Sequence, residues 1–169
     1  LLSVAGRTVS AEELAAELKK SAEPLGDNFG GFTFSGGEPL MQPEFLLSSA
    51  EELKGFNLCI ETSGYAKPEI FTSVIEKLDF IIMDIKLANT ETHKKYTGVG
   101  NEIILANFEA LKKSGKPYLI RTPLIPNITD TKENLSAIKS LIRESNWEQL
   151  PYNTMAGAKY KMLGLEYSL

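Results

Sequence analysis

Apolar residues in this chain recur with two alternating periods, about 3.6 in long segments and short continuous runs between them. Ser10-Ala11-Glu12-Glu13 reads as a capping box, and Ala11, Leu14, Ala15 and Leu18 then repeat at helical spacing until Pro24 and Gly26 close the segment. Phe32-Thr33-Phe34-Ser35, set between Gly30-Gly31 and Gly36-Gly37, predicts a short strand running into a turn. Pro43 starts a helix whose stripe is Leu46, Ala50 and Leu53. Leu58 to Thr62 predicts a strand, and Phe71, Val74, Ile75 and Leu78 the inward face of a helix begun near Pro68. The run Phe80 to Ile85 is almost wholly apolar, as expected of a parallel strand covered on both faces.

A polar connection, Leu87 to Gly100, then predicts a surface loop with one turn of helix around Lys94, Lys95 and Tyr96. It leads to a helix carrying Ile104, Phe108 and Leu111 as far as Gly115, and to a strand from Tyr118 to Ile125. Asp130 with Glu133 predicts the cap of a last helix buried through Leu135, Ile138 and Ile142, and Trp147 to Tyr152 a last strand. The tail, Met155 to Leu169, is expected to pack on the body.

About five strands separated by helices, at roughly 20 to 35 residues per unit, make an α/β protein with a mostly parallel sheet. A complete eight-unit barrel takes about 250 residues, so the choice lies between an open sheet and a partial β/α barrel. Residues 1–169 are read as one domain. In either architecture ligands belong at the carboxyl ends of the strands.

Composition narrows the chemistry. No apolar run approaches the roughly 18 residues of a membrane span, and no membrane partner is expected. The net charge of −4 gives no bulk attraction to phosphate backbones, so nucleic acid is not an expected partner. The first residues show no secretory or transit pattern, and a cytoplasmic location is the expectation. Cys59 and His93 are the only thiol and the only imidazole, too few for a structural zinc site or for the thiolates of an iron–sulfur cluster. Cys59, between Leu58 and Ile60, reads as a small core residue, and His93, beside Lys94 and Lys95, as solvated. A metal bound by these residues alone would be a hard cation on oxygen ligands.

The candidate chemistry gathers at predicted strand ends. Ser35-Gly36-Gly37-Glu38-Pro39 brings backbone groups within reach of a ligand and adds a carboxylate, although the same residues also make an ordinary tight turn. Glu61-Thr62-Ser63-Gly64 ends the next strand and Asp84-Ile85-Lys86 the one after. Asp84 and Lys86, two apart, share a face and can join Glu61 in one polar cluster. Arg121 lies among Leu119, Ile120, Leu124 and Ile125, where a guanidinium needs a carboxylate partner. Structural ion pairs and a site for a small zwitterionic ligand both satisfy these charges.

Taken in order, Phe32 to Leu40 with Gln42-Pro43-Glu44-Phe45-Leu46, Glu61 to Tyr65, Met83 to Lys86, His93 to Val99, Ile120 to Pro126 and Leu150-Pro151-Tyr152 resemble the motifs of the glycyl-radical-enzyme activating enzymes of the radical S-adenosylmethionine superfamily. The resemblance runs from about Gly6 to Tyr160. It implies a partial barrel in which a [4Fe–4S] cluster reduces S-adenosylmethionine to methionine and a 5′-deoxyadenosyl radical, which takes a hydrogen atom from a glycine of a partner such as pyruvate formate-lyase. An electron donor such as flavodoxin is implied with it. By the same resemblance Ser35, Gly36, Gly37 and Glu38 would hold the methionyl amino group, and Lys86 and Arg121 the carboxylate. Glu61, Thr62 and Asp84, with a carbonyl near Ile82, would bind a monovalent cation.

The sequence departs from that pattern in three places. The cluster motif Cys-x3-Cys-x2-Cys, which the resemblance places before the first helix, is absent, so the chain reads as a core without its first strand and cluster loop and, alone, inactive. Asn153 stands where many relatives carry a cofactor-site His, and Glu61 where some carry Asp. The alternatives are a non-catalytic nucleoside- or protein-binding fragment, and another radical S-adenosylmethionine enzyme acting on a small molecule.

Overall fold

Five parallel strands lie side by side in sequence order in the computed structural model, which describes residues 6–153 together with Gly164 and Glu166. They are β1 (Phe32–Phe34), β2 (Leu58–Thr62), β3 (Phe80–Asp84), β4 (Tyr118–Pro123) and β5 (Trp147–Leu150). Six α-helices accompany them among the described residues: α1 (Ala11–Ala22), α2 (Pro43–Glu52), α3 (Pro68–Glu76), α4 (Thr90–Thr97), α5 (Glu102–Ser114) and α6 (Lys132–Ile142). Each crossover returns the chain to the next position in the sheet, and right-handed crossovers without a reversal of strand order stack their helices on one face. A doubly wound sheet reverses its order to cover both faces. This one does not, and the architecture is a partial β/α barrel.

Burial follows from that topology. Ile60 on β2, Ile81 and Met83 on β3, and Ile120 on β4 point toward the helices and are fully buried against Phe71, Ile75, Phe108, Leu111 and Ile138. The alternate residues form the opposite, half-open face: Cys59 and Glu61 of β2, Phe80, Ile82 and Asp84 of β3, and Arg121 of β4. The register Glu61 to Ile82 and Asp84 to Arg121 sets these side chains in adjacent rows. The apolar run of β3 therefore does not mark a strand covered on both faces. Phe80 and Ile82 line the concave side, which stays partly wet.

The capping box of α1 forms as read: Ser10 Oγ accepts from Glu13 N, and Glu13 accepts from Ser10 N. Elsewhere the structure differs in detail. The connection after β3 contains a full helix, α4, capped by Asn89, which accepts from Thr92 N, and closed by left-handed Gly98. Its polar surface hid it from an apolar-stripe reading. His93 is not solvated but buried on that helix, 5% exposed, with Nδ1 2.8 Å from the Val99 carbonyl oxygen. A carbonyl can only accept, so this contact places the ring proton on Nδ1. Helix α6 is capped by Thr131 rather than Asp130; Asp130 instead accepts from Asn127 N in the preceding turn. Asn134 takes a buried place on α6, while Leu135 is half-buried. The last strand ends at Leu150, and the expected packing of Met155 to Leu169 falls outside the described residues apart from Gly164 and Glu166.

Gly31 fixes the entry into β1. Its φ is +134°, and a Cβ there would stand 2.2 Å from the Asn57 carbonyl oxygen, the same oxygen that accepts from Phe32 N. Backbone strain and collision act together in Gly31→Ala, which should lose about 2 kcal/mol or more in urea denaturation. A loss below about 0.5 kcal/mol, the range of an indifferent surface change, would contradict this account of the strand start.

Candidate functional site

Strands β1 to β4 deliver their carboxyl ends to one edge, where a cleft of about 200 Å³ opens. Ser35, Gly36, Gly37 and Glu38 line it from β1, Glu61, Thr62 and Ser63 from β2, Asp84 and Lys86 from β3, and Arg121 from β4. All ten belong to the candidate segments named from the sequence, although Ser63 has no role assigned there. Asn153 lies beyond the end of β5, exposed, and is not part of the lining.

Glu38 organises the cleft. Its Oε1 accepts from Leu40 N at 3.2 Å and Thr62 Oγ1 at 2.6 Å, and its Oε2 from Ser63 N at 2.8 Å and Ser63 Oγ at 2.6 Å. A carboxylate offers about four lone-pair sites, and all are taken. Glu38 therefore caps the short turn Pro39–Met41 and ties the exit of β1 to the exit of β2. The acceptors left for a ligand ammonium on this turn are backbone carbonyls. Thr62 Oγ1, which donates to Glu38, also accepts from Gly64 N at 2.9 Å and is buried.

The charges behind this turn are paired in alternation. Arg121 Nη1 donates to Glu61 Oε1 at 2.9 Å, and Ser35 Oγ donates to Glu61 Oε2 at 3.0 Å. Lys86 Nζ donates to Asp84 Oδ2 at 2.9 Å. Arg121 Nε stands 3.8 Å from Asp84 Oδ1, within ion-pair range but too far for a hydrogen bond, and this buried N–H has no described partner. Two acids and two bases so cancel within a cleft whose side chains keep 19–34% of their exposure. Pairs this accessible contribute about 1 kcal/mol or less each, little enough for a charged ligand to rearrange. Among the described residues, no group of three or more His, Cys, Asp and Glu could hold a metal ion.

The two glycines leave room. A Cβ at Gly36 or Gly37 would meet no described atom within 4 Å, and Gly37, unlike Gly36 at φ +122°, does not even need glycine's backbone freedom. The fold gives no reason for Gly37, whereas a ligand lying against the backbone does. Cys59 lies on the same sheet face, one row below Glu61. Burial, reinforced by the charge of Glu61, pushes its thiol pKa up, which keeps it protonated and unreactive at neutral pH.

Residues given no individual role from the sequence support these loops. Ser63 supplies two of the four donors to Glu38. Asn107, fully buried on α5, donates from Nδ2 to the carbonyls of Gly64 and Ala66, both at 2.8 Å. A buried asparagine on an otherwise apolar helical face was the available sign of such a role.

Among known proteins, the radical SAM superfamily model matches residues 2–137. The (2S)-3-sulfopropanediol sulfolyase activating enzyme of Bilophila wadsworthia is 37% identical, with 97% of this chain and 57% of that protein covered. The 4-hydroxyphenylacetate decarboxylase activating enzyme of Clostridium scatologenes is 37% identical over 92% of this chain and 52% of its own length. The chain thus spans about half the length of the curated relatives it matches. In three dimensions it is similar to a domain of pyruvate-formate lyase-activating enzyme from Bacteroides vulgatus (TM-score 0.64, 26% identity, covering 82% of this chain and 97% of that one). Streptococcus suis SuiB shares the fold at TM-score 0.70 and 15% identity, covering 91% of this chain and 35% of its own. With four-fifths of its length under the superfamily model and its polar residues gathered where such barrels open, the chain belongs to the radical SAM superfamily.

Proposed function

We propose that this chain is the S-adenosylmethionine-binding core of an activating enzyme that generates a glycyl radical on a partner enzyme of the pyruvate formate-lyase kind. The observation that carries the reading is the cleft at the strand ends. It sets a glycine backbone with unfilled space beside two cations, as a zwitterionic methionyl group requires. The two curated relatives, activating enzymes for a sulfolyase and for a decarboxylase, support the choice of partner class.

In this reading the carbonyls of the Ser35 to Gly37 turn accept the ligand ammonium, while Glu38 holds the turn in shape. Lys86 and Arg121 turn from Asp84 and Glu61 toward the ligand carboxylate, and the free Nε–H of Arg121 is an additional donor. Held there and reduced by one electron from a cluster outside these residues, S-adenosylmethionine would supply the capacity to abstract a hydrogen atom from carbon. One cysteine with a raised pKa does not fit a [4Fe–4S] cluster, so the cluster thiolates would come from polypeptide outside these 169 residues. The protein would work in the cytoplasm as one domain around this core, with an electron donor such as flavodoxin. No helix among the described residues is long and apolar enough to cross a membrane.

Once Lys86 and Arg121 engage the ligand, Glu61 and Asp84 are left with excess negative charge, and the proposal gives them a second role with Thr62 as oxygen ligands of a monovalent cation. Asn153, at its exposed position beyond β5, would approach the same cofactor.

The direct experiment is to join this chain to a segment carrying Cys-x3-Cys-x2-Cys, reconstitute the cluster anaerobically, reduce it, and add the partner lyase. A glycyl radical in the electron paramagnetic resonance spectrum, with one 5′-deoxyadenosine formed per radical, is expected. Nucleoside release without a protein radical would contradict the partner assignment. In calorimetric titrations, Gly37→Ala should weaken S-adenosylmethionine binding by about tenfold while changing urea stability by less than about 0.5 kcal/mol. Equal affinity would remove Gly37 from the site. Replacing sodium and potassium by choline should weaken wild-type binding, and Asp84→Asn should abolish that dependence; affinity indifferent to the cation in wild type would remove the cation role.

A further inference from the structure

Lys86 lies two residues past the end of β3, where the strand ladder no longer holds the backbone. The carbonyls of Ile85 to Ala88 are nevertheless all bonded. Ile85 N donates to Arg121 O at 2.9 Å, and the Ile85 carbonyl accepts from Thr122 Oγ1 at 2.7 Å. The Lys86 carbonyl accepts from Asn134 Nδ2 at 3.0 Å, and Asn101 Nδ2 reaches the carbonyls of Leu87 and Ala88 at 2.8 and 3.1 Å. Ala88 N in turn donates to Asn134 Oδ1 at 3.0 Å. Four consecutive carbonyls are thus held by side chains from β4, α6 and the segment before α5.

The role of Asn134 is distinct within this set. Its carboxamide accepts from Ala88 and donates to Lys86, so it bonds the backbone on both sides of Leu87. A residue of a neighbouring parallel strand bonds its partner strand in the same way, to groups two residues apart. The side chain extends the sheet by one step where no strand is left to do so. Asn134 Nδ2 also donates to Thr129 O at 2.8 Å, which ties the loop after β4 to the same point. At 9% exposure the amide is withdrawn from water, so its bonds to the backbone meet little competition.

We infer that Asn134 is a positioning residue for ligand binding: it fixes the backbone of Lys86 so that the ammonium group is presented at the cleft, an inference that rests on the proposed binding of S-adenosylmethionine. The constraint matters because a lysine has a long and mobile stem. Its ammonium is held only by the exchangeable pair with Asp84, so the lasting constraint is on its backbone, and each degree of freedom removed beforehand need not be lost on binding.

The test is a double-mutant cycle on S-adenosylmethionine affinity, with Asn134→Leu made in wild type and in Lys86→Met. If Asn134 acts through Lys86, it should weaken binding by about tenfold in wild type and by less than about twofold once the ammonium is gone. The same loss in both backgrounds would overturn the inference. Asn107→Leu, which removes a comparably buried amide from the loop after β2, is the control and should have equal effects in both. Should the leucine variant not fold, Asn134→Asp keeps the shape and the acceptor for Ala88 while removing both donors, and the same two outcomes apply. The Lys86 ammonium resonance, read by nitrogen-15 NMR without ligand, separates this inference from the functional reading. A wild type that fails to bind, with a Lys86 signal that still broadens on substitution of Asn134, would strike the functional reading alone. A Lys86 signal indifferent to Asn134 would strike the positioning role alone.

Discussion

A parallel sheet whose strands follow sequence order has all its crossovers on one side, and the rest of this structure depends on that constraint. One face receives α1, α2, α3, α5 and α6 and becomes the core, with Ile60, Ile81, Met83 and Ile120 fully buried. The other face is left concave and half-wet, so it can carry charge at little cost. The carboxyl edge of that face is where the chain must leave each strand, and where turns, not ladders, decide which groups are presented. A site there needs polar side chains to replace the missing ladder bonds. Glu38 does this between β1 and β2, and Asn107 does it behind the loop after β2.

The charges follow the same logic. Glu61, Asp84, Lys86 and Arg121 come from three adjacent strands, and the register alone brings them together. They pair with one another, leaving the Arg121 Nε–H as the only buried group among them without a described partner, and this pairing offsets the cost of holding four charged side chains half-buried. Structural ion pairs and a ligand site are open alternatives in the sequence; the structure shows the pairs, and the proposed function makes the ligand site a second use of the same residues. The pairs offset one another's charge, and they are exposed enough to be exchanged for a zwitterion.

Much of this was legible in the sequence, for identifiable reasons. Strand positions followed from apolar runs bounded by glycine, and Glu61, Asp84, Lys86 and Arg121 stood out because charge at a strand end needs a cause. Three kinds of feature were not legible. Helix α4 has polar residues on nearly every face, so its signs were only Asn89 at one end and Gly98 at the other. The half-open side of β3 is set by topology, since Phe80 and Ile82 read the same whether a second layer of helices covers them or not. The saturation of Glu38 depends on Thr62 and Ser63, more than twenty residues away, and a sequence motif assigns a carboxylate no partners at that range.

The central claim is that the cleft recognises the charged methionyl end of S-adenosylmethionine. Titrating the same protein with S-adenosylmethionine and with 5′-deoxy-5′-(dimethylsulfonio)adenosine, which keeps the nucleoside and the sulfonium charge but lacks the amino and carboxylate groups, isolates that recognition. The account predicts that the truncated ligand binds at least about tenfold more weakly, the loss expected when charge-assisted hydrogen bonds are removed. It also predicts that Arg121→Met narrows the gap. Equal affinity for the two ligands would contradict it.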